Sequence, residues 1–171
     1  MCDRPLRVES GRSARRVQRA LAAAGISTQV VELLESTRTA VDAAAAIGCR
    51  AEQIAKSLVF RCRGSEQPVL VVAGGAKRVD EHLVSAYLNA EIVKADANFL
   101  RVATGFAIGG VPPLGHDSPL RTLIDEDVVK LDIIWAAAGT PHAVFSVDPQ
   151  RLIQVIGGDV VSVSKPPPQR A

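Results

Sequence analysis

The sequence predicts an α+β fold: one domain with a mixed, mainly antiparallel sheet of six or seven strands flanked by helices. Three observations carry that expectation. The 171 residues are 47% hydrophobic and 22% charged, the size and balance of one globular domain with a respectable core. The apolar residues are mostly Ala, Val, Leu and Ile, and they fall into short strand-length runs interspersed with segments of helical period. Gly- and Pro-containing turns separate those segments, and the chain shows no internal repeat and no domain boundary.

Taken in order, residues 1–12 read as a flexible basic leader ahead of a domain spanning residues 13–164. Ser13 is a candidate N-cap for a helix with apolar positions Val17, Leu21 and Ala24, which Gly25 ends. A strand is expected over 28–34 and a turn over 35–39. Thr39 then caps an Ala-rich helix over 41–47, stopped by Gly48. A helical turn over 51–55 leads into a strand over 57–63, and residues 63–67 make a hairpin connection to a strand over 68–73. Gly74-Gly75 turns the chain before a helix over 79–88. A short strand over 91–93 and a short helix over 97–102 follow.

Residues 104–119 form a Gly/Pro-rich connection, long enough to be a candidate functional loop. Strands are expected over 120–124, 131–137 and 143–147, then a helix over 149–156 and a last strand over 160–163. Residues 165–171, with three consecutive prolines, read as a disordered tail.

Charge and composition narrow the function. A net charge of +2, from 20 basic and 18 acidic residues, is too balanced for gripping long stretches of nucleic-acid backbone, yet permits a site for a few phosphates. Arg4, Arg7, Arg12, Arg15 and Arg16 form the clearest basic cluster and read as a solvated tail plus an exposed helix face. Aromatics at 4% are too few for a base-stacking platform. Cys2, Cys49 and Cys62 have no paired spacing, so neither a disulfide framework nor a CxxC motif is expected. No signal peptide or membrane-spanning run is evident, and a reduced, cytoplasmic setting is the default expectation.

Motifs for metal, triad or nucleotide chemistry are missing. His82, His116 and His142 have no HxE or HxxxH partner, and no serine sits in a G-x-S-x-G elbow. Gly74-Gly75-Ala76-Lys77 lacks the rest of a phosphate loop, and Asp125-Glu126-Asp127 reads as acid at a helix N-terminus. What remains is Lys56, set among apolar residues, and the loop from Gly109 to Gly115. A partly desolvated ammonium calls for an anionic partner, and a Gly/Pro loop offers rigid backbone groups near a ligand. Read alone, Lys56 is equally a strand-edge lysine snorkelling to solvent, and the loop equally a structural turn.

At these residues the chain resembles the YbaK/prolyl-tRNA synthetase-associated domain family of aminoacyl-tRNA editing domains. The markers are Gln53-Ile54-Ala55-Lys56-Ser57-Leu58-Val59-Phe60, Val79-Asp80, Thr104-Gly105-Phe106 and Gly109-Gly110-Val111-Pro112-Pro113-Leu114-Gly115, supported by Leu123-Ile124-Asp125 and Ala138-Gly139. The resemblance covers residues 17–161 and implies a freestanding, metal-independent deacylase, without a cofactor, that hydrolyses the ester of mischarged tRNA. It implies as partners the aminoacyl-CCA end and a possible synthetase, with no membrane.

In similar proteins the lysine at position 56 holds the phosphate or ribose of the CCA terminus, and Gly110 and Val111 border the reacting ester. A valine at Gly110 is then expected to fill the ester pocket. Ser57, Thr37, Thr39, Phe106, Pro112, Pro113, Gly115, Gly139 and His142 are the candidate substrate-binding residues. An activated ester needs mostly positioning and oxyanion stabilisation, so a substrate hydroxyl can assist in place of a protein base. Three departures bear on the amino acid removed: Ser57 in place of threonine, Pro112-Pro113 in place of Ser-Pro, and no serine before Gly139. They argue against cysteine. Two other readings stay open: a non-catalytic module binding a tRNA end, small ligand or synthetase, and a hydrolase of free aminoacyl esters.

Overall fold

Helix α1 (Arg12–Ala23) starts where Gly11 leaves the extended conformation and buries Ala14, Val17 and Leu21 as one apolar stripe. The computed structural model describes residues 7–8, 11–34, 37 and 39–166. The expected cap, Ser13, lies inside this helix. Two residues of the expected leader form β1 (Arg7–Val8), which pairs antiparallel with β2 (Val31–Glu32). Arg12 of the leader opens α1, while residues 1–6 and 9–10, part of the 35–39 turn and residues 167–171 of the tail lie outside the described residues.

β2 is shorter than expected because the side chain of Gln18 engages the preceding residues. It donates to Thr28 C=O at 2.9 Å and accepts from Val30 N–H at 2.8 Å, tying them to α1 rather than to a ladder. Helix α2 (Ala40–Ile47) begins at Thr39, whose hydroxyl accepts from Asp42 N–H at 3.1 Å, and ends at left-handed Gly48. A 3-10 turn (Ala51–Gln53) delivers the chain to β3 (Ile54–Cys62). That strand begins three residues before the expected 57, so Lys56 lies within it.

β4 (Pro68–Gly74) pairs with β3 over seven residue pairs, and its five central residues are all buried. Burial on both faces explains the unbroken apolar run there. β5 (Arg78–Val79) precedes α3 (Glu81–Leu88), and Asp80 caps that helix by accepting from His82 N–H at 3.0 Å. β6 (Ile92–Lys94) and α4 (Ala97–Thr104) follow, then the long loop, β7 (Arg121–Asp125) and the short α5 (Glu126–Val129). β8 (Ile134–Ala137), β9 (Ala143–Val147), α6 (Pro149–Ile156), β10 (Asp159–Val161) and β11 (Ser164–Lys165) complete the chain.

The sheet runs β1-β2-β9-β8-β3-β4-β7-β10, with β6 also on β3. β3–β8, β4–β7 and β7–β10 are parallel, and the other pairs are antiparallel. This is the mixed, mainly antiparallel α+β sheet expected, enlarged by two-residue strands too short to leave a pattern. β5 and β11 form a separate ribbon, so Lys165 of the expected tail is paired with Arg78. One face packs against α1, α4 and α6 through Val17, Leu21, Leu100 and Leu152, together with Phe106 and Val111 of the loop. The other packs Phe60, Val69, Val71 and Leu123 against Val84 of α3.

Candidate functional site

β3 has a bare edge at its middle. On the side away from β4, β8 pairs only with Ile54 and Ala55, and β6 joins only at Phe60. Between those points a cavity of about 530 Å³ opens, the volume of a small-molecule site. Its walls are β3 from Ile54 to Phe60, β8, the start of α2, and Ile108, Gly109 and Val111 of the long loop. Lys94, Thr140 and Pro141 also line it. Among the described residues the wall carries the ammonium groups of Lys56 and Lys94, and no carboxylate, imidazole or thiol.

Lys56 is half-buried, and its Nζ donates to Lys77 C=O at 2.8 Å. Burial, with the Arg78 guanidinium nearby, pushes its pKa below the ordinary lysine value. One of its three donors is therefore committed, leaving the others for a ligand. The acceptor is held from several directions. Lys77 Nζ pairs with Asp127, which draws the Asp127 pKa down and the Lys77 pKa up. Arg78 and Val79 pair with β11, and Asp80 N–H donates to Val163 C=O at 2.7 Å. Asp125 makes no cap bond to α5. Its buried carboxylate instead accepts from Val163 N–H at 3.1 Å and Ser164 Oγ at 2.8 Å, holding the chain that carries β11.

The loop divides into an inner and an outer part. Ile108, Gly109 and Val111 face the cavity, whereas Pro113, Leu114, Gly115 and His116 line a groove against α1 and α6. Gly110 N–H donates to Ala107 C=O at 3.1 Å, and Gly110 C=O accepts from Gly139 N–H at 2.9 Å. A Cβ on Gly110 would lie 2.8 Å from the backbone of Gly139 and Thr140. The expectation that this glycine leaves room for the ester is corrected: it permits backbone to meet backbone. Gly139 needs the same freedom, since its Cβ would lie 2.8 Å from the backbone of Ser13 in α1.

Arg16, read from sequence as a solvated arginine, ties the outer part of the loop. Its guanidinium lies 4.5 Å over the Phe106 ring, donates to Gly115 C=O at 2.8 Å and pairs with Asp117 at 2.7 Å. His116 stacks edge-on to Phe106, and its Nε2 lies 2.7 Å from Pro112 C=O. Burial, with Arg16 beside it, pushes the His116 pKa below its ordinary value. Pairing of aromatic and cation gave no periodic signal, and only the loop's return to α1 brings the groups together.

The structure therefore sorts the sequence candidates. Lys56, Ser57, Thr37, Thr39 and Val111 line the cavity. Phe106 is buried beneath Arg16, and Pro112, Pro113 and Gly115 belong to the outer part of the loop, so these four are supports rather than lining. Gly139 backs Gly110, and His142 is exposed beyond Thr140, to whose Oγ1 its N–H donates at 3.3 Å. Lys94, Trp135, Thr140 and Ile108 are lining residues that no motif indicated. Lys94 lies opposite Phe60 in the β3–β6 ladder, a register invisible in one dimension. Among the described residues no three His, Cys, Asp or Glu side chains form a metal-binding group, and no helix is long and apolar enough to cross a membrane.

The model of the aminoacyl-tRNA editing domain family matches residues 35–155. A crystal structure of a candidate trans-editing enzyme for prolyl tRNA synthetase is 40% identical, with a TM-score of 0.86 over 92% of this chain and 99% of that one. A scaffold used for computational epitope grafting is 38% identical, with a TM-score of 0.85 over 91% and 99% of the two chains. The uncharacterized protein YwhH of Bacillus subtilis (strain 168) is 29% identical over 123 residues, 72% of this chain and 78% of its own length.

Proposed function

The chain belongs to the aminoacyl-tRNA editing domain family, and on that premise we propose that it is a deacylase acting in trans on mischarged tRNA. The observation that carries the reading is the cavity wall: largely apolar, with cations and hydroxyls as its polar side chains and no carboxylate, imidazole or thiol among the described residues. Such a wall can bind and orient an anionic ligand but offers no obvious base. An aminoacyl ester on a terminal ribose suits it, because the ester is activated and carries a hydroxyl and a phosphate of its own.

In this reading Lys56, fixed by Lys77 C=O, holds the phosphate or ribose of the terminal adenosine. Lys94 adds positive charge to the same cavity. Water attacks the ester carbonyl carbon, assisted by the neighbouring ribose hydroxyl, and the resulting oxyanion takes a backbone donor. Gly110 N–H is already engaged with Ala107. The Val111 N–H, which meets no acceptor among the described residues, is the donor assigned here. The C–O bond to the ribose then breaks, releasing the amino acid and a free ribose hydroxyl.

The test is deacylation of tRNAs mischarged with Cys, Ala, Ser and Thr, by wild type and by Lys56→Ala. At least one ester is expected to turn over in a Lys56-dependent way. Wild-type turnover by Lys56→Ala on every substrate would overturn the assignment.

A further inference from the structure

Among the described residues four hydroxyl side chains line the cavity, and three of them are already engaged. Thr37 donates to Pro141 C=O at 3.4 Å, Thr39 caps α2, and Thr140 Oγ1 accepts from the N–H groups of His142 and Ala143 at 3.3 and 3.1 Å. The fourth is Ser57. Its Oγ is buried and meets no hydrogen-bond partner among the described residues. A buried hydroxyl without a partner is costly, and few native side chains are left so.

The strand says which end of a ligand Ser57 meets. Consecutive residues of β3 point to opposite faces, so Lys56 and Ser57 address the cavity from opposite sides of its bare edge. Lys56 lies on the face with Lys77 and Arg78, the polar end. Ser57 lies on the face of Ala55 and Val59, which packs with Leu100 and Val111. These four also line the cavity, making that end apolar. The backbone at this point is bare as well. Val59 C=O and Arg63 N–H meet Ala95 and Glu91 on the β6 side, so alternation turns the N–H and C=O of Ser57 toward the same edge.

We infer that Ser57 is a specificity-determining residue whose Oγ recognises a short, hydroxyl-bearing aminoacyl side chain, of the seryl or threonyl kind. The inference rests on the deacylase reading and adds the substrate class. An anionic terminus on Lys56 leaves the aminoacyl group to the apolar end, where one hydroxyl awaits a partner. A substrate hydroxyl completes that bond, while a methyl group leaves Ser57 unsatisfied in the complex.

The experiment measures kcat/KM on tRNAs carrying Ser, Thr, Ala and Cys for wild type, Ser57→Ala and Ser57→Thr. In parallel, calorimetry follows binding of non-hydrolysable 3′-seryl- and 3′-alanyl-amido adenosine. The seryl-to-alanyl ratio is expected to fall about tenfold to a hundredfold in Ser57→Ala, in both turnover and binding, and to be restored by Ser57→Thr. An unchanged ratio, or an equal loss on all four substrates, overturns the role of Ser57 and leaves the deacylase reading standing. A wild-type protein that neither hydrolyses the esters nor binds the analogues overturns both.

Discussion

The two long walls of the cavity are held by different forces. The β3 wall is part of a ladder of seven pairs with β4, buried on both faces, and its geometry is set by backbone hydrogen bonds. The loop wall has no strand between Gly105 and Leu120. It is held by one glycine-to-glycine bond to Gly139 and by side chains from elsewhere, Arg16 above all. The difference teaches where remote residues matter. On the ladder a substitution changes the site by changing the group that faces the ligand, whereas the loop can be displaced by residues that never touch one.

The largest effect should come from the ladder. Lys56→Ala is expected to lower deacylation about a hundredfold or more while the melting temperature stays within a few degrees, because β3 keeps its pairs. A comparable loss of melting temperature would show that Lys56 braces the Lys77 turn rather than the ligand. Gly110→Ala tests the other wall. Its Cβ meets backbone at 2.8 Å, which no rotamer relieves, so denaturant unfolding should show a loss of about 1–3 kcal/mol together with lost activity. An unaffected, active variant would mean that the loop gives way freely.

Arg16→Ala sharpens the comparison further. Its ion pair with Asp117 is largely exposed, so the stability change should be about 1 kcal/mol or less. Activity should nonetheless fall several-fold, with faster amide exchange over residues 106–116. Arg16→Lys should recover part of this, since a lysine can pair with Asp117 but cannot reproduce the planar fork. Unchanged exchange in Arg16→Ala would remove Arg16 from the support of the loop.

The smallest effect is a pH dependence. Burial holds the folded His116 pKa below the ordinary value of about 6.5, so the unfolded chain binds the proton more readily. The stability it contributes is present above about 6.5 and declines as pH falls from there toward the folded value. Thermal melts between pH 7 and 5 should therefore show a shallower decline in His116→Gln. An identical slope in the two proteins would discount the burial of this imidazole.

Much of the fold was legible because local signals agreed with it. Thr39 and Gly48 bracket α2, and β4 reads as an apolar run because both its faces are covered. Two-residue strands such as β1, β5 and β11 were not legible, because a single pair of residues carries no period. Asp125 stands at the N-terminus of α5 as expected, but the partners of its carboxylate were not legible. Its place before a helix suggested a dipole interaction, but its partners lie at Val163 and Ser164. In the site, Lys56 stood out by type and Val111 only through the family resemblance, whereas Pro113 and Gly115 were indistinguishable in sequence from the residues that face the cavity.

By itself the sequence determined the fold class and the family, and singled out Lys56 as a candidate, since these reside in periodicity, caps and a motif that survive reading in one dimension. Tertiary structure alone decided that β8 leaves β3 before β6 joins it, opening the cavity. It also decided that Gly110 spends its backbone groups on Ala107 and Gly139, that Arg16 reaches Gly115, and that of the four cavity hydroxyls among the described residues only Ser57 lacks a partner. Each depends on where a ladder stops or which groups meet, across as many as 99 residues of chain for Arg16 and Gly115. A strand's pairing partner and a hydroxyl's acceptor are properties of the folded contact, not of the residue.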